Sequence, residues 1–104
     1  MQRRAKMKRR TTETDVSLEI NIDGTGKFEI STGIPFFDHM LSSMARHARF
    51  DLVVHAKGDI EVEAHHTIED VAIVLGTGIN EALGNRTDIS RYGYALVPMD
   101  DSCA

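Results

Sequence analysis

Apolar residues along this chain recur at a period of about two, then about 3.6, then two and 3.6 again, and few folds accept that order. Val16, Leu18, Ile20 and Ile22 alternate with polar residues, so Thr14 to Asp23 reads as a half-buried strand. Asp23-Gly24-Thr25-Gly26 supplies turn chemistry, and residues 27–32, with Phe28 and Ile30 inward, are expected to complete a hairpin. Gly33 and Pro35 end that strand, and Pro35 suits the first turn of a helix. From Phe36 to Arg49 the spacing becomes helical, with Phe37, Met40, Leu41, Met44 and Ala48 on one face and His39, Ser42, Ser43, Arg46 and His47 opposite. Phe50, Leu52, Val54 and Ala56 restore alternation, Lys57-Gly58-Asp59 turns the chain, and Ile60, Val62 and Ala64 suggest a fourth strand. A second helix follows, with Ile68, Val71, Ala72, Leu75, Ile79, Ala82 and Leu83 on its apolar face and Gly84 as its stop. Gly76 and Gly78 within it each cost about 1 kcal/mol relative to alanine, and close packing on the sheet is the expected reason. Asn85 to Asp88 is a polar loop, and Tyr92 to Val97 is a short β-prone segment that Pro98 ends or confines to an edge. The order β-β-α-β-β-α predicts an α+β fold, a four-stranded and mostly antiparallel sheet carrying both helices on one face, with a C-terminal strand beginning beyond it.

Length sets the scale: 104 residues suffice for one modest core. No apolar run approaches the roughly 20 residues of a membrane span, and no signal-peptide core is visible at the N-terminus. The single cysteine, Cys103, rules out an intrachain disulfide, which suits a reducing, cytoplasmic setting. The formal charge of −4 is uneven, because six of the first ten residues are basic. The rest carries six Lys+Arg against 16 Asp+Glu, a balance of −10. Residues 1–10 therefore read as a basic, solvated arm; without interleaved aromatics they make a poor nucleic-acid site, and no nucleic-acid or membrane partner is expected.

The chemistry concentrates in His65-His66-Thr67-Ile68-Glu69, at the head of the second helix. Glu69 lies one turn beyond both His65 (i+4) and His66 (i+3), so His65 and Glu69 can share an ion while His66 points about a third of a turn away. Nitrogen and carboxylate ligands without thiolate suit Mn, Fe, Ni or Zn, and the geometry suits two neighbouring metals better than one. The same residues would also serve as a polar helix start with Glu69 near the positive dipole end. His39, on the polar face of the first helix, becomes a candidate ligand through this company, and Asp38 and Asp70 are candidates to orient the ligands. His55 should project from the other sheet face and is read as structural.

Several further stretches fall in a recognisable order: Arg10-Thr-Thr-Glu-Thr14, Asp23-Gly-Thr-Gly26, Thr32-Gly-Ile-Pro-Phe-Phe-Asp-His-Met-Leu41, Phe50-Asp-Leu52, Gly58-Asp59, His65-His-Thr-Ile-Glu-Asp70, Ala82-Leu-Gly84, Arg91-Tyr-Gly93 and Pro98-Met-Asp100. Together they resemble the imidazoleglycerol-phosphate dehydratase family of histidine biosynthesis, over nearly everything after about residue 9. The resemblance implies that His39, His65, His66 and Glu69 bind a pair of Mn²⁺ ions. It implies that Glu13 contacts substrate and transfers a proton, and that His47 and Arg91 bind substrate, Arg91 at the phosphate end. His39, His65, His66 and Glu69 would contact substrate as well. The implied reaction is dehydration of imidazole glycerol phosphate to imidazole acetol phosphate. The proton removed sits on carbon beside a hydroxyl and is barely acidic, so metal-held imidazole would draw off charge while a carboxylate shuttles protons.

Members of the family are roughly twice this length and resemble two fused copies of the unit read above. On that basis residues 1–10 are an arm, 11–84 a dehydratase half-domain, and 85–104 a loop and first strand of an incomplete second half. The chain is then a truncated dehydratase, a half-size form in which two chains replace two halves, or a piece completed by a separate partner. A homo-oligomer with metal sites between subunits is expected. The alternative is a non-catalytic, metal-binding half-domain that self-assembles.

Overall fold

The computed structural model describes residues 2–104. Six strands and two helices follow in order: β1 Arg4–Arg10, β2 Thr14–Asn21, β3 Phe28–Ser31, α1 Pro35–Ala48, β4 Asp51–Gly58, α2 His65–Leu83, and the two-residue strands β5 Pro98–Met99 and β6 Ser102–Cys103. The first four strands form one sheet in the order β1-β2-β4-β3, with β1-β2 and β2-β4 antiparallel and β3-β4 parallel. Val16, Leu18 and Ile20 of β2 and Leu52, Val54 and Ala56 of β4 meet Leu41 and Ala45 of α1 and Val71, Val74 and Ala82 of α2 in one core. Polar and charged residues such as Glu19, His55 and Lys57 point away from it. This is the expected α+β architecture, both helices on one face of a four-stranded mixed sheet with a strand pair at the C-terminus. Among the described residues, no helix is long and apolar enough to cross a membrane.

The strands themselves are allotted differently from the β-β-α-β-β-α reading. Residues 4–10, expected as a solvated arm, form the edge strand β1. Ala5 is buried and Met7 packs on the core, a period-two pattern that the interleaved basic residues disguise. Arg4, Lys6, Lys8 and Arg10 lie on the open face, where long cationic stems stay solvated and also guard the edge. Arg3 fastens the start of β1 to the loop after β2: its backbone N–H and Nε donate to Asp23 Oδ2 at 2.8 and 3.0 Å, and Nη2 to Oδ1 at 2.8 Å. These bonds hold the Asp23 carboxyl down at about 2.

No hairpin joins β2 to β3, because β4 lies between them. The Asp23–Gly26 turn instead crosses the end of β4, where Thr25 and Lys27 N–H donate to Asp51 Oδ1 at 2.9 and 3.1 Å. A central place suits β4, which has eight residues and an unbroken apolar alternation; β3, with four, takes the edge. The fourth strand expected over Ile60–Ala64 is a turn, in which Val62 and Glu63 N–H donate to the Asp59 carbonyl at 2.8 and 3.2 Å. Ile60 and Val62 are exposed and have no sheet to join. Tyr92–Val97 is also not a strand; Pro98 opens one rather than closing one, and Val97 and Ala104 exchange backbone hydrogen bonds across the Asp100-Asp101 turn.

Each helix buries a narrower stripe than its spacing suggested. Helix α2 turns Thr67, Asp70, Val71, Val74, Gly78 and Ala82 inward and leaves Ile68 and Ala72 outward; α1 buries Leu41 and Ala45 and leaves Met40 and Ala48 outward. Gly78 accounts for the rotation of α2. A Cβ there would sit 3.0 Å from Leu18 Cδ2, so the bare backbone is what reaches the sheet. Gly76 faces open space and plays no such part.

Candidate functional site

The Arg10–Thr14 turn joins β1 to β2 at the sheet edge beside the start of α2, and threonines hold it in shape. Thr11 N–H donates to the Thr14 carbonyl at 2.8 Å, and Thr11 Oγ1 accepts from the N–H groups of Glu13 and Thr14 at 3.1 Å each. The buried Thr14 hydroxyl donates to Asp70 Oδ2 on α2, and Arg9 Nε donates to Asp70 Oδ1 at 3.3 Å. The Thr14 hydrogen bond, followed by Arg9, holds the Asp70 carboxyl below its ordinary range against the opposing effect of burial. Glu13 is thereby presented at an exposed tip, its Oε2 accepting from Thr11 Oγ1 at 3.2 Å.

Opposite lies the first turn of α2. Gly58 brings the end of β4 against it so closely that a Cβ would meet Thr67 Oγ1 at 2.0 Å. Asp59, one residue on, directs Oδ2 at His66 Nδ1 across 2.9 Å, and its own N–H donates to the Glu13 carbonyl at 3.2 Å. The Asp59 hydrogen bond and then its charge raise the His66 pKa above the ordinary histidine value. His65 and His66 splay apart, ring centroids 6.0 Å from each other and planes 72° apart. His65 Nε2 lies 3.1 Å from Glu69 Oε2, one turn along the helix.

These elements enclose a cleft of about 220 Å³ lined by Arg9, Thr11, Glu13, His66, Glu69, Asp70 and Ile73. The structure thus places Glu13, His66 and Glu69 around one cleft from two distant segments of the chain, with His65 paired to Glu69 beside them. It does not bring His39, His47 or Arg91 into this cleft. His39 sits on α1 next to Phe36, ring centroids 6.3 Å apart; His47 is exposed in the last turn of α1; Arg91 lies in the exposed segment before β5. Of the two carboxylates expected to orient ligands, Asp38 accepts from the Thr32 N–H and hydroxyl at the start of α1, and Asp70 belongs to the threonine network. The carboxylate that orients a histidine is Asp59, which sequence reasoning took only as a turn residue; no periodicity links positions seven apart across a bend.

Imidazole nitrogen and carboxylate oxygen suit a divalent ion, and the exposed His65–Glu69 pair offers one of each on a single face. Among the described residues, however, no three such side chains stand close enough together to hold one ion. The fit is to part of a coordination sphere, and a complete one needs donors beyond those gathered here.

A family model described as imidazoleglycerol-phosphate dehydratase matches residues 32–104. The chain belongs to the imidazoleglycerol-phosphate dehydratase family. It is 56% identical over 102 residues to the imidazoleglycerol-phosphate dehydratase of Mycolicibacterium smegmatis, covering 98% of this chain and 50% of that protein. It is 55% identical over 100 residues to that of Rhodococcus opacus, covering 96% and 49%. The chain therefore spans about half the length of the curated relatives it matches. Both the Glu13 turn, which lies outside the family model's match, and the His65–Glu69 turn, which lies inside it, fall within the stretch shared with the first relative, since that alignment leaves out only two of the 104 residues.

Proposed function

We propose that this chain supplies half of a manganese-dependent active site that dehydrates imidazole glycerol phosphate to imidazole acetol phosphate in cytoplasmic histidine biosynthesis, completed by assembly with further copies. The observation that carries the reading is the cleft itself, where an acid–base carboxylate, Glu13, faces imidazole and carboxylate donors from α2. A carboxylate facing imidazole and carboxylate donors across a cleft suits removal of a weakly acidic proton. Thr11 holds Glu13 by Oε2, leaving Oε1 to take the carbon-bound proton and return it to the departing hydroxyl as water.

His65, Glu69 and His66 would contribute ligands from α2, and His39 from α1. Mn²⁺ held there would supply positive charge against the electron density that builds on the substrate's imidazole ring. His47 and Arg91 would bind substrate, the Arg91 guanidinium suiting the phosphate. Because His39, His47 and Arg91 stand apart from the cleft, their roles require neighbouring copies, each offering its set to another's cleft.

Native mass spectrometry with and without Mn²⁺, run beside a product assay, tests the proposal. A metal-dependent homo-oligomer that forms imidazole acetol phosphate, and loses both properties on His65→Ala, supports it; a chain that binds no Mn²⁺ at any concentration sinks it. The exposed His65–Glu69 pair, one nitrogen and one carboxylate donor on a single helix face, also fits a second reading, a non-catalytic metal-binding module that self-assembles. Its mark is a Mn²⁺-dependent assembly without turnover.

A further inference from the structure

Asp59 makes two contacts that lead to opposite walls of the cleft. Its Oδ2 meets His66 Nδ1 at 2.9 Å, and its backbone N–H donates to the carbonyl of Glu13 at 3.2 Å. The side chain does not cap the turn that follows, since the N–H groups of Val62 and Glu63 are taken by the Asp59 backbone carbonyl. The carboxylate is therefore spent on the histidine alone: Oδ1 is buried and has no hydrogen-bond partner among the described residues. A neutral imidazole carries one ring proton, and an acceptor at Nδ1 draws it there, so the lone pair is left on Nε2. A carboxylate behind a histidine in this way fixes both tautomer and ring direction for a ligand on the far nitrogen.

We infer that Asp59 is a positioning residue, which holds His66 with Nδ1 protonated and Nε2 presented as a donor while tying the Glu13 turn to the same bend. This rests on the proposed role of His66 as a metal ligand, but its geometric content can be read without metal. His55 provides an internal contrast on the open face of the sheet. It meets Glu29 through Nε2 at 3.2 Å, so its neutral form should carry the opposite proton.

The test is a long-range ¹H–¹⁵N spectrum of the metal-free chain, at a pH where the histidines are neutral, followed by Mn²⁺ titration of the same protein. Wild-type His66 should be Nδ1-protonated and His55 Nε2-protonated. Asp59→Ala should release His66 to a mixture rich in the Nε2-protonated form and weaken Mn²⁺ binding roughly 10–100-fold. Asp59→Asn, which keeps an acceptor oxygen, should restore the tautomer and most of the affinity. An Nε2-protonated His66 in the wild type would overturn the inference, and so would an Asp59→Ala chain that binds Mn²⁺ like the wild type. If Asp59→Ala does not fold, the wild-type tautomer and Asp59→Asn still decide. A wild-type chain that binds no Mn²⁺ defeats the proposed function, while the His66 tautomer continues to judge Asp59.

Discussion

Substituting Gly58 by alanine probes the joint on which the cleft depends. The added Cβ would lie 2.0 Å from Thr67 Oγ1, 3.3 Å from Thr67 Cβ and 3.2 Å from Thr14 Cγ2. Thr67 is fully buried in the first turn of α2 and cannot move outward as a flexible surface chain would. Gly58 is not at positive φ, so the backbone accepts alanine and the cost is steric alone. Overpacking of this kind costs about 1–3 kcal/mol. Reduced freedom of the unfolded chain returns about 0.4–1 kcal/mol. The net loss should be about 1–2 kcal/mol, or roughly 4–16 °C in Tm for a domain of this size. Thr67→Ala removes the obstructing oxygen, and because that hydroxyl is buried without a partner among the described residues, no hydrogen bond to them goes with it. In the Thr67→Ala background Gly58→Ala should therefore be close to neutral, giving a coupling of about 1–2 kcal/mol in a double-mutant cycle by urea denaturation. Equal costs in both backgrounds would refute the contact as the cause, and an unchanged Tm for Gly58→Ala alone would refute the close approach itself.

The two helical glycines should part company in thermal melts. Gly76→Ala, in open space, should gain about 0.8–1 kcal/mol, whereas Gly78→Ala should gain nothing or lose, because its Cβ presses on Leu18 and Met7. Asp70 has its pKa lowered from 3.8 in the fold, so its contribution to stability is complete above that value and disappears as pH falls through the depressed one. Urea midpoints should fall more steeply with acid in the wild type than in Asp70→Asn; parallel slopes would mean that the Thr14 and Arg9 contacts do not hold the carboxylate. Thr14→Val should strand the same buried carboxylate without its hydroxyl donor, costing about 1–3 kcal/mol in the same assay.

What could be read from sequence followed from what periodicity measures. Both helices, the strands around Leu18 and Val54, and the cluster at His65–Glu69 all have strong local patterns, and each stands where it was expected. Strand β1 was missed because Ala5 and Met7 are a weak apolar signal inside six basic residues. The strand assigned to Ile60–Ala64 failed for the converse reason: its alternation is good, but the close approach at Gly58 leaves room only for a turn before α2. The pairing of β3 with β4 instead of β2 is a tertiary choice that no local turn signal encodes. At the site, residue types pointed to the α2 donors. The Glu13 turn as their neighbour and Asp59 as the partner of His66 depend on how the sheet edge meets the helix.

The strand order also sets a timetable for folding. β1 and β2 are joined by a tight turn, with Arg10 opposite Asp15, and can pair as soon as both have been synthesised. β2 must then wait for β4, since Thr14 pairs with Gly58 and Asn21 with Asp51. β3 waits as well, for it stands at the sheet edge beside the same late strand. Loop closure over those separations carries an entropic cost before any long-range pairing rewards it. Until residue 58 is out, a growing chain can therefore pair β1 with β2 but leaves β2 and β3 each without the neighbour they have in the sheet. The arrival of a single segment, β4, supplies both missing pairings and joins them into a sheet.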